Sequence, residues 1–155
     1  MKKQKKHLLY QEYNEIINKH PLVLVMHYNN LVNNYISLED TKVELNNLMK
    51  SYYQNVETQP SVCIKVIKNS LIKHTIKNTR FSLLSSLFAG PTLLLYSNTA
   101  SVEMAKIILQ WKSMNSHLQF LGGKFDNELI SISDFVDITQ LPSQKEHVLF
   151  QTISL

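Results

Sequence analysis

PLVLVMHY, Pro21–Tyr28, is the stretch that decides the architecture. It is a continuous apolar run with two β-branched Val residues and no polar side until His27. Such a run is short for a helix, and its composition suits a strand covered on both faces. Working outward, Leu9, Tyr13, Ile16 and Ile17 recur at helical spacing just upstream. They predict an amphipathic helix over residues 5–19 with a basic start, stopped by Pro21. Downstream, the polar YNNLVNNYI reads as a loop. Ser37 followed by Glu39 and Asp40 then signals a helix start, because acids in a first turn complement the helix dipole. Leu38, Val43, Leu45, Leu48, Met49 and Tyr52 are expected on the apolar side of that helix.

The remaining chain continues the alternation. Ser61–Ile67 (SVCIKVI) predicts a strand with Val62, Ile64 and Val66 on one face and Cys63, Lys65 and Ile67 on the other. A helix over residues 69–79 turns Leu71, Ile72 and Ile76 inward, and Phe81, Leu83, Leu84 and Leu87 form a short apolar helix after it. Gly90-Pro91 breaks that helix and opens the strand TLLLYS, Thr92–Ser97. Ala100–Met114 reads as a helix with Val102, Ala105, Ile108 and Leu109 inward. HLQFLGGKFDNELIS reads as a strand, an irregularity at Gly122-Gly123, and a turn at Asp126-Asn127. Short helices are expected at Ser133–Thr139 and after Pro142-Ser143. Strands alternating with helices indicate βαβ units. The expected fold is therefore a single α/β domain over residues 1–155, with a central mixed sheet and packed helices in a ferredoxin-like-type sandwich.

Length and composition agree with one globular domain. The chain has 155 residues, 44% of them hydrophobic and 18% charged, which is far from the composition of disordered segments. Cys63 is alone, so no internal disulfide forms, and its apolar neighbours suggest a buried thiol. No apolar run reaches the length of a membrane span. The N-terminus is basic without a secretory h-region, and no mitochondrial presequence is visible, as expected of a mature form. The net charge of +4 is mild, but its placement is uneven. Lys2, Lys3, Lys5 and Lys6 crowd the start, and Lys65, Lys68, Lys73, Lys77 and Arg80 crowd one short stretch.

Motifs for catalysis are weak. The chain has three glycines and no phosphate-cradling glycine signature. His7, His20, His27, His74, His117 and His147 are scattered without metal-ligand spacing, and no serine elbow exists. His27 as a base, or Asp134 and Asp137 as an acid–base pair, read better as a core or rim histidine and as helix-start and surface acids. The stretch KVIKNSLIKH, Lys65–His74, is more informative. Lys65 interrupts an apolar strand, which is costly unless its ammonium reaches water or an anion. Lys68 and Asn69 fall where that strand gives way to a helix, and free N–H groups at a helix start attract phosphate. Asn69, Lys73 and Lys77 repeat on one helix face. No aromatic residue interleaves with these cations, which points to recognition of a folded RNA backbone rather than stacking on single-stranded bases.

Lys65–Ser97 resembles the universal L-ten stalk-base proteins of the large ribosomal subunit. The matching features are KVIKNSLIKH, Phe81 with its leucine-rich continuation, and FAGPTLLLYS (Phe88–Ser97). Similarity continues through LGGKFDNELIS and the Leu141-Pro142-Ser143 turn, and so covers nearly the whole chain. His20–Leu31, following the LLYQEY helix, is similar to the mitochondrial branch, with a bacterial-type cytoplasmic ribosome as the alternative. The resemblance implies a non-enzymatic constituent of the ribosome, without cofactor, bound to ribosomal RNA at the stalk base beside the L-eleven protein. It places Lys65, Lys68 and Asn69 on the RNA-facing motif, and Asn29 and Asn30 on a loop near RNA. Lys73 and Lys77 join them from the helix-face argument. Two departures from the family pattern stand out. Asn46 occupies a position where many members carry an arginine. The long C-terminal helix that carries the L-seven/L-twelve dimers is expected to be absent or truncated. An assembly factor of the same family is a rival reading, and a small enzyme is a further one.

Overall fold

The structure, a computed structural model, describes residues 3–28, 38–54 and 59–141. Helix α1 (Lys3–Lys19) leads into β1 (Leu22–Tyr28), and α2 (Leu38–Tyr52) leads into β2 (Val62–Val66). Helix α3 (Asn69–Ile76) and a 3₁₀ helix (Ser82–Leu87) precede β3 (Thr92–Ser97). Helix α4 (Val102–Met114), β4 (Leu118–Phe125), β5 (Glu128–Ile130) and α5 (Ile132–Thr139) complete the described chain. The predicted loop at 29–36, the Ser37 cap and the helix after Pro142 lie outside the described residues.

The five strands form one sheet in the order β2-β3-β1-β4-β5. The α/β class, the central sheet and the packed helices are as expected from the alternation. The pairing is not mixed, however: β1 is antiparallel to β3 and β4, and β2 to β3. The parallel relations demanded by βαβ units exist between strands one place apart. β1 and β2 run the same way with β3 inserted between them, and β3 and β4 do so around β1. This is the split βαβ arrangement of ferredoxin-like sandwiches. It arises because each crossover helix needs more width than one strand spacing, which leaves a slot for a strand from the other unit.

The slot explains why β1 is so apolar. Leu22 to Met26 are all at most 1% exposed, since β1 is central and helices cover both of its faces. Leu22, Leu24 and Met26 join Leu93, Leu95, Phe120, Met104, Ile108 and Trp111 beneath α2, α4 and α5. Val23 and Val25 join Leu94, Tyr13, Ile16, Ile72, Ile76 and Phe88 beneath α1, α3 and the 3₁₀ helix. Each such side chain contributes roughly 1.5–3 kcal/mol through burial. The Trp111 indole N–H donates to the Thr41 carbonyl at 2.9 Å and fastens α4 to α2.

Four expectations need correction. Val43 and Tyr52 are 54% and 51% exposed on α2, because the covered stripe runs through Thr41, Leu45 and Met49 instead. Leu83 is 76% exposed, since a 3₁₀ helix turns every third residue inward and Leu84 takes the core position. Val102 and Leu109 are only half-buried, and Met104, Ile107 and Trp111 fill the core side of α4. Cys63 is exposed, because β2 is a sheet edge and its outer end is uncovered.

The turn at Asp126-Asn127 is as predicted. Both residues have positive φ, 52° and 67°, the conformation of a two-residue hairpin of the primed type. The Gly122-Gly123 irregularity is a bulge: β1 pairs Val25 with Gly122 but Met26 with Phe120, so Leu121 is extra. The extra residue inverts the face on which later side chains fall. Phe120 packs beneath α5, whereas Lys124, four residues on, points to the α1 side.

Candidate nucleic-acid interface

The predicted cationic residues gather where three strand ends meet. β1 ends at Tyr28, whose N–H donates to the Pro91 carbonyl at 3.2 Å. β2 ends before Ile67, whose N–H donates to the Thr92 carbonyl at 3.3 Å. Helix α3 starts immediately afterwards. Lys68 is its N-cap in extended conformation (φ −94°, ψ 116°), with no hydrogen bond from its side chain to the helix start. Its carbonyl accepts from the N–H groups of Leu71 and Ile72, both at 3.1 Å. Its own N–H donates to the Tyr13 hydroxyl at 3.1 Å. The backbone at Lys68 is thus held from α1, while its exposed side chain makes no ion pair among the described residues.

Asn69 does not cap the helix. Its amide Nδ2 donates to the Gly90 carbonyl at 2.8 Å, and the Thr92 hydroxyl donates to the same carbonyl at 2.9 Å. Gly90 has φ +72°, and a Cβ there would lie 2.8 Å from the His27 imidazole Nε2. Asn69, Gly90, Thr92 and His27 therefore lock the α3 start to the ends of β1 and β3. His27 is a rim residue of this lock. Asn29 and Asn30 lie outside the described residues.

Lys65 departs from the expectation. It points away from Val62 and Ile64, as predicted, but it forms an ion pair with Glu12 of α1. The anion its half-buried side chain meets comes from this chain, 53 residues earlier. Lys73 and Lys77 are exposed on the outer side of α3, and Leu71, Ile72 and Ile76 are buried beneath it. Among the described residues, Lys68, Lys73 and Lys77 make no ion pair. The structure also supplies an aromatic that spacing concealed. Tyr10 of α1 packs on His74 of α3 with ring centroids 5.2 Å apart, and the Lys6 ammonium lies 5.9 Å from the Tyr10 ring. Asn46, on α2, lies across the sheet from this edge. Asp134 is the third residue of α5, whose N-cap is Ser131: its carboxylate accepts from the Ser131 N–H at 3.1 Å, and the Ser131 hydroxyl accepts from its N–H at 3.2 Å. That role in a capping box accounts for its position.

The family described as Ribosomal protein L10 matches residues 1–113. The chain belongs to the ribosomal protein L10 family. The chain is similar to the large ribosomal subunit protein uL10 of Rickettsia typhi, at 30% identity over 131 residues, which cover 84% of this chain and 69% of the relative. It is also similar to uL10 of Rickettsia bellii, at 30% identity over 136 residues, covering 88% of this chain and 72% of the relative. The L10 family comprises structural proteins of the large ribosomal subunit. These bacterial relatives do not support the mitochondrial assignment drawn from His20–Leu31.

One cation of this L10 member was not legible in the sequence. Lys124 is 1% exposed. Its ammonium donates to the Ile17 carbonyl at the end of α1 and lies 4.8 Å from the centroid of Phe81. Burial, and then the Arg80 charge, push its pKa down from 10.5 to about 8. The unfolded chain therefore holds this proton more tightly than the folded one. The sign follows: Lys124's contribution to stability rises with pH between about 8 and 10.5 and is flat below 8. Tyr53 and Tyr96, whose pKa values are raised by burial, act in the opposite sense at higher pH. Comparison with Lys124→Met cancels the tyrosines. From pH 8 to 10 the native chain is expected to gain on the order of 1–3 kcal/mol relative to that variant in urea unfolding. Parallel pH profiles of the two proteins would refute the buried-amine account.

Proposed function

We propose that this chain anchors ribosomal RNA at the base of the GTPase-associated stalk as a structural constituent of the large subunit. The observation that carries this reading is the α3 start. There an immobilised backbone presents Lys68, Lys73 and Lys77 with no internal counter-charge among the described residues. Ammonium groups carried on a fixed backbone suit phosphates, and phosphate contacts fix register rather than read bases. Asn69 acts in this reading by setting the α3 start, and Lys65 by tying α1 to β2 through Glu12. Asn29 and Asn30 are proposed contacts from the loop after β1. The L-eleven protein is the proposed neighbour. L-seven/L-twelve dimers are the proposed further partners where a C-terminal helix follows. The mitochondrial ribosome is proposed from the likeness of His20–Leu31 to that branch. The Rickettsia relatives favour a bacterial-type ribosome, and fractionation of the tagged protein distinguishes the two.

The test is binding of the purified chain to the stalk-base fragment of large-subunit ribosomal RNA, against an unrelated RNA of equal length. Lys68→Ala is expected to weaken selective binding about fivefold or more, on roughly 1 kcal/mol for one charged contact. Lys50→Ala, on α2 across the sheet, is expected to leave it unchanged. Equal losses in both variants would mean diffuse charge attraction and defeat the site.

A further inference from the structure

We propose that the groove between α3 and the 3₁₀ helix is a second phosphate seat, through which the same RNA strand continues beyond Lys68; this rests on the RNA reading above. The groove is lined by Ser70, Lys73, His74 and Lys77 on one side and Ser82 and Ser85 on the other. Three hydroxyls, two ammonium groups and an imidazole make up its lining, with no carboxylate. Hydroxyls can donate to phosphate oxygens, the ammonium groups neutralise their charge, and no acid opposes them.

Three features make this a built groove rather than a run of surface lysines. First, its far wall comes from another element. Ser82 and Ser85 are half-buried, and the 3₁₀ helix beneath them is anchored by the buried Phe81, Leu84 and Phe88. Secondly, that wall is fixed to α3: the Thr79 N–H donates to the Ile76 carbonyl at 3.0 Å, and the Ser82 N–H to the Thr79 carbonyl at 3.2 Å. Thirdly, His74 is braced from behind by Tyr10, which holds the imidazole at the groove's rim. Lys73 and Lys77, one helical turn apart and both exposed, line this open groove. The seat thus adds Ser70, Ser82, Ser85 and His74 to the cations already assigned.

The hydroxyls allow a test that charge alone cannot mimic. Ser82→Ala/Ser85→Ala removes two neutral donors, so it should weaken binding to the stalk-base RNA about five- to tenfold and leave the log–log salt slope unchanged, because no counterion release is lost. Lys68→Ala, measured beside it, should lower the slope by about 0.7–0.9. A Ser82→Ala/Ser85→Ala protein that unfolds like the native chain yet binds with native affinity, while Lys68→Ala is impaired, would overturn the second seat and leave the RNA reading standing. If the native chain shows no RNA selectivity, the RNA reading fails, and the groove is decided by titrating inorganic phosphate into the free protein. Amide chemical shifts of Ser70, Ser82 and Ser85 that move and saturate, and do not do so in Lys73→Ala/Lys77→Ala, would show an anion seat of another use. Shifts that stay still would overturn the groove outright.

Discussion

Gly123→Ala is expected to lower the stability of the chain by about 4 kcal/mol or more, or to prevent folding. Gly123 sits in β4 opposite Leu24 of β1 and Ile130 of β5, directly after the bulge. A Cβ there would lie 2.1 Å from the Val23 carbonyl oxygen and 2.9 Å from the Leu24 Cα. Both are backbone atoms of the central strand, so no side-chain rotation relieves the clash. Moving β1 is no remedy either, because Val23 and Leu24 are buried against opposite helical layers. Overpacking usually costs about 1–3 kcal/mol where side chains give way, and here they cannot. In urea unfolding the midpoint should fall sharply with an unchanged m-value. A loss below about 1 kcal/mol would mean that β1 and β4 are not so closely apposed.

Replacing Lys68, Lys73 and Lys77 together by Ala should weaken binding to the stalk-base RNA roughly a hundredfold near 0.15 M salt, taking about 1 kcal/mol for each contact. The log–log salt slope should fall by about 2–3, at 0.7–0.9 for each phosphate released. Stability should hardly change, because the three side chains are exposed and make no ion pair among the described residues; surface substitutions of this kind stay within roughly 0.5 kcal/mol. The separation of the two readouts is what gives the experiment force. An unchanged slope with intact folding would mean that α3 presents a solvated basic face and that the RNA lies elsewhere. Lys65→Ala should behave differently, because it strands Glu12 on α1. Its first effect should be on the attachment of α1 to the sheet edge.

The local elements were legible because each is specified by neighbours in sequence. The Val-rich run of β1, the Gly90-Pro91 break before β3 and the left-handed pair Asp126-Asn127 each carry their conformation in a few adjacent residues. The basic α3 edge was legible for the same reason, since strand alternation and helical periodicity fix where Lys65, Lys73 and Lys77 point. Likeness to the L10 family was carried by the same short blocks, Lys65–His74 and Phe88–Ser97.

What the tertiary structure alone decided concerns pairs distant in the chain. Strand order is one case: nothing local tells β3 to enter the slot between β1 and β2, so an antiparallel sheet could pass for a mixed one. The partner of Lys65 is another. Alternation shows that its ammonium leaves the apolar face, but only the packing of α1 on α3 and the sheet edge brings Glu12 to meet it. Tyr10 reaches His74 by the same packing. Lys124 is the clearest. Period-two alternation from Phe120 puts it beside Phe120, and the single extra residue of the bulge turns it to the other side, under α1 and against Phe81. A sequence states how many residues lie between two side chains. Whether one of them is looped out of the ladder depends on the strand it pairs with, and that strand lies about a hundred residues away in β1.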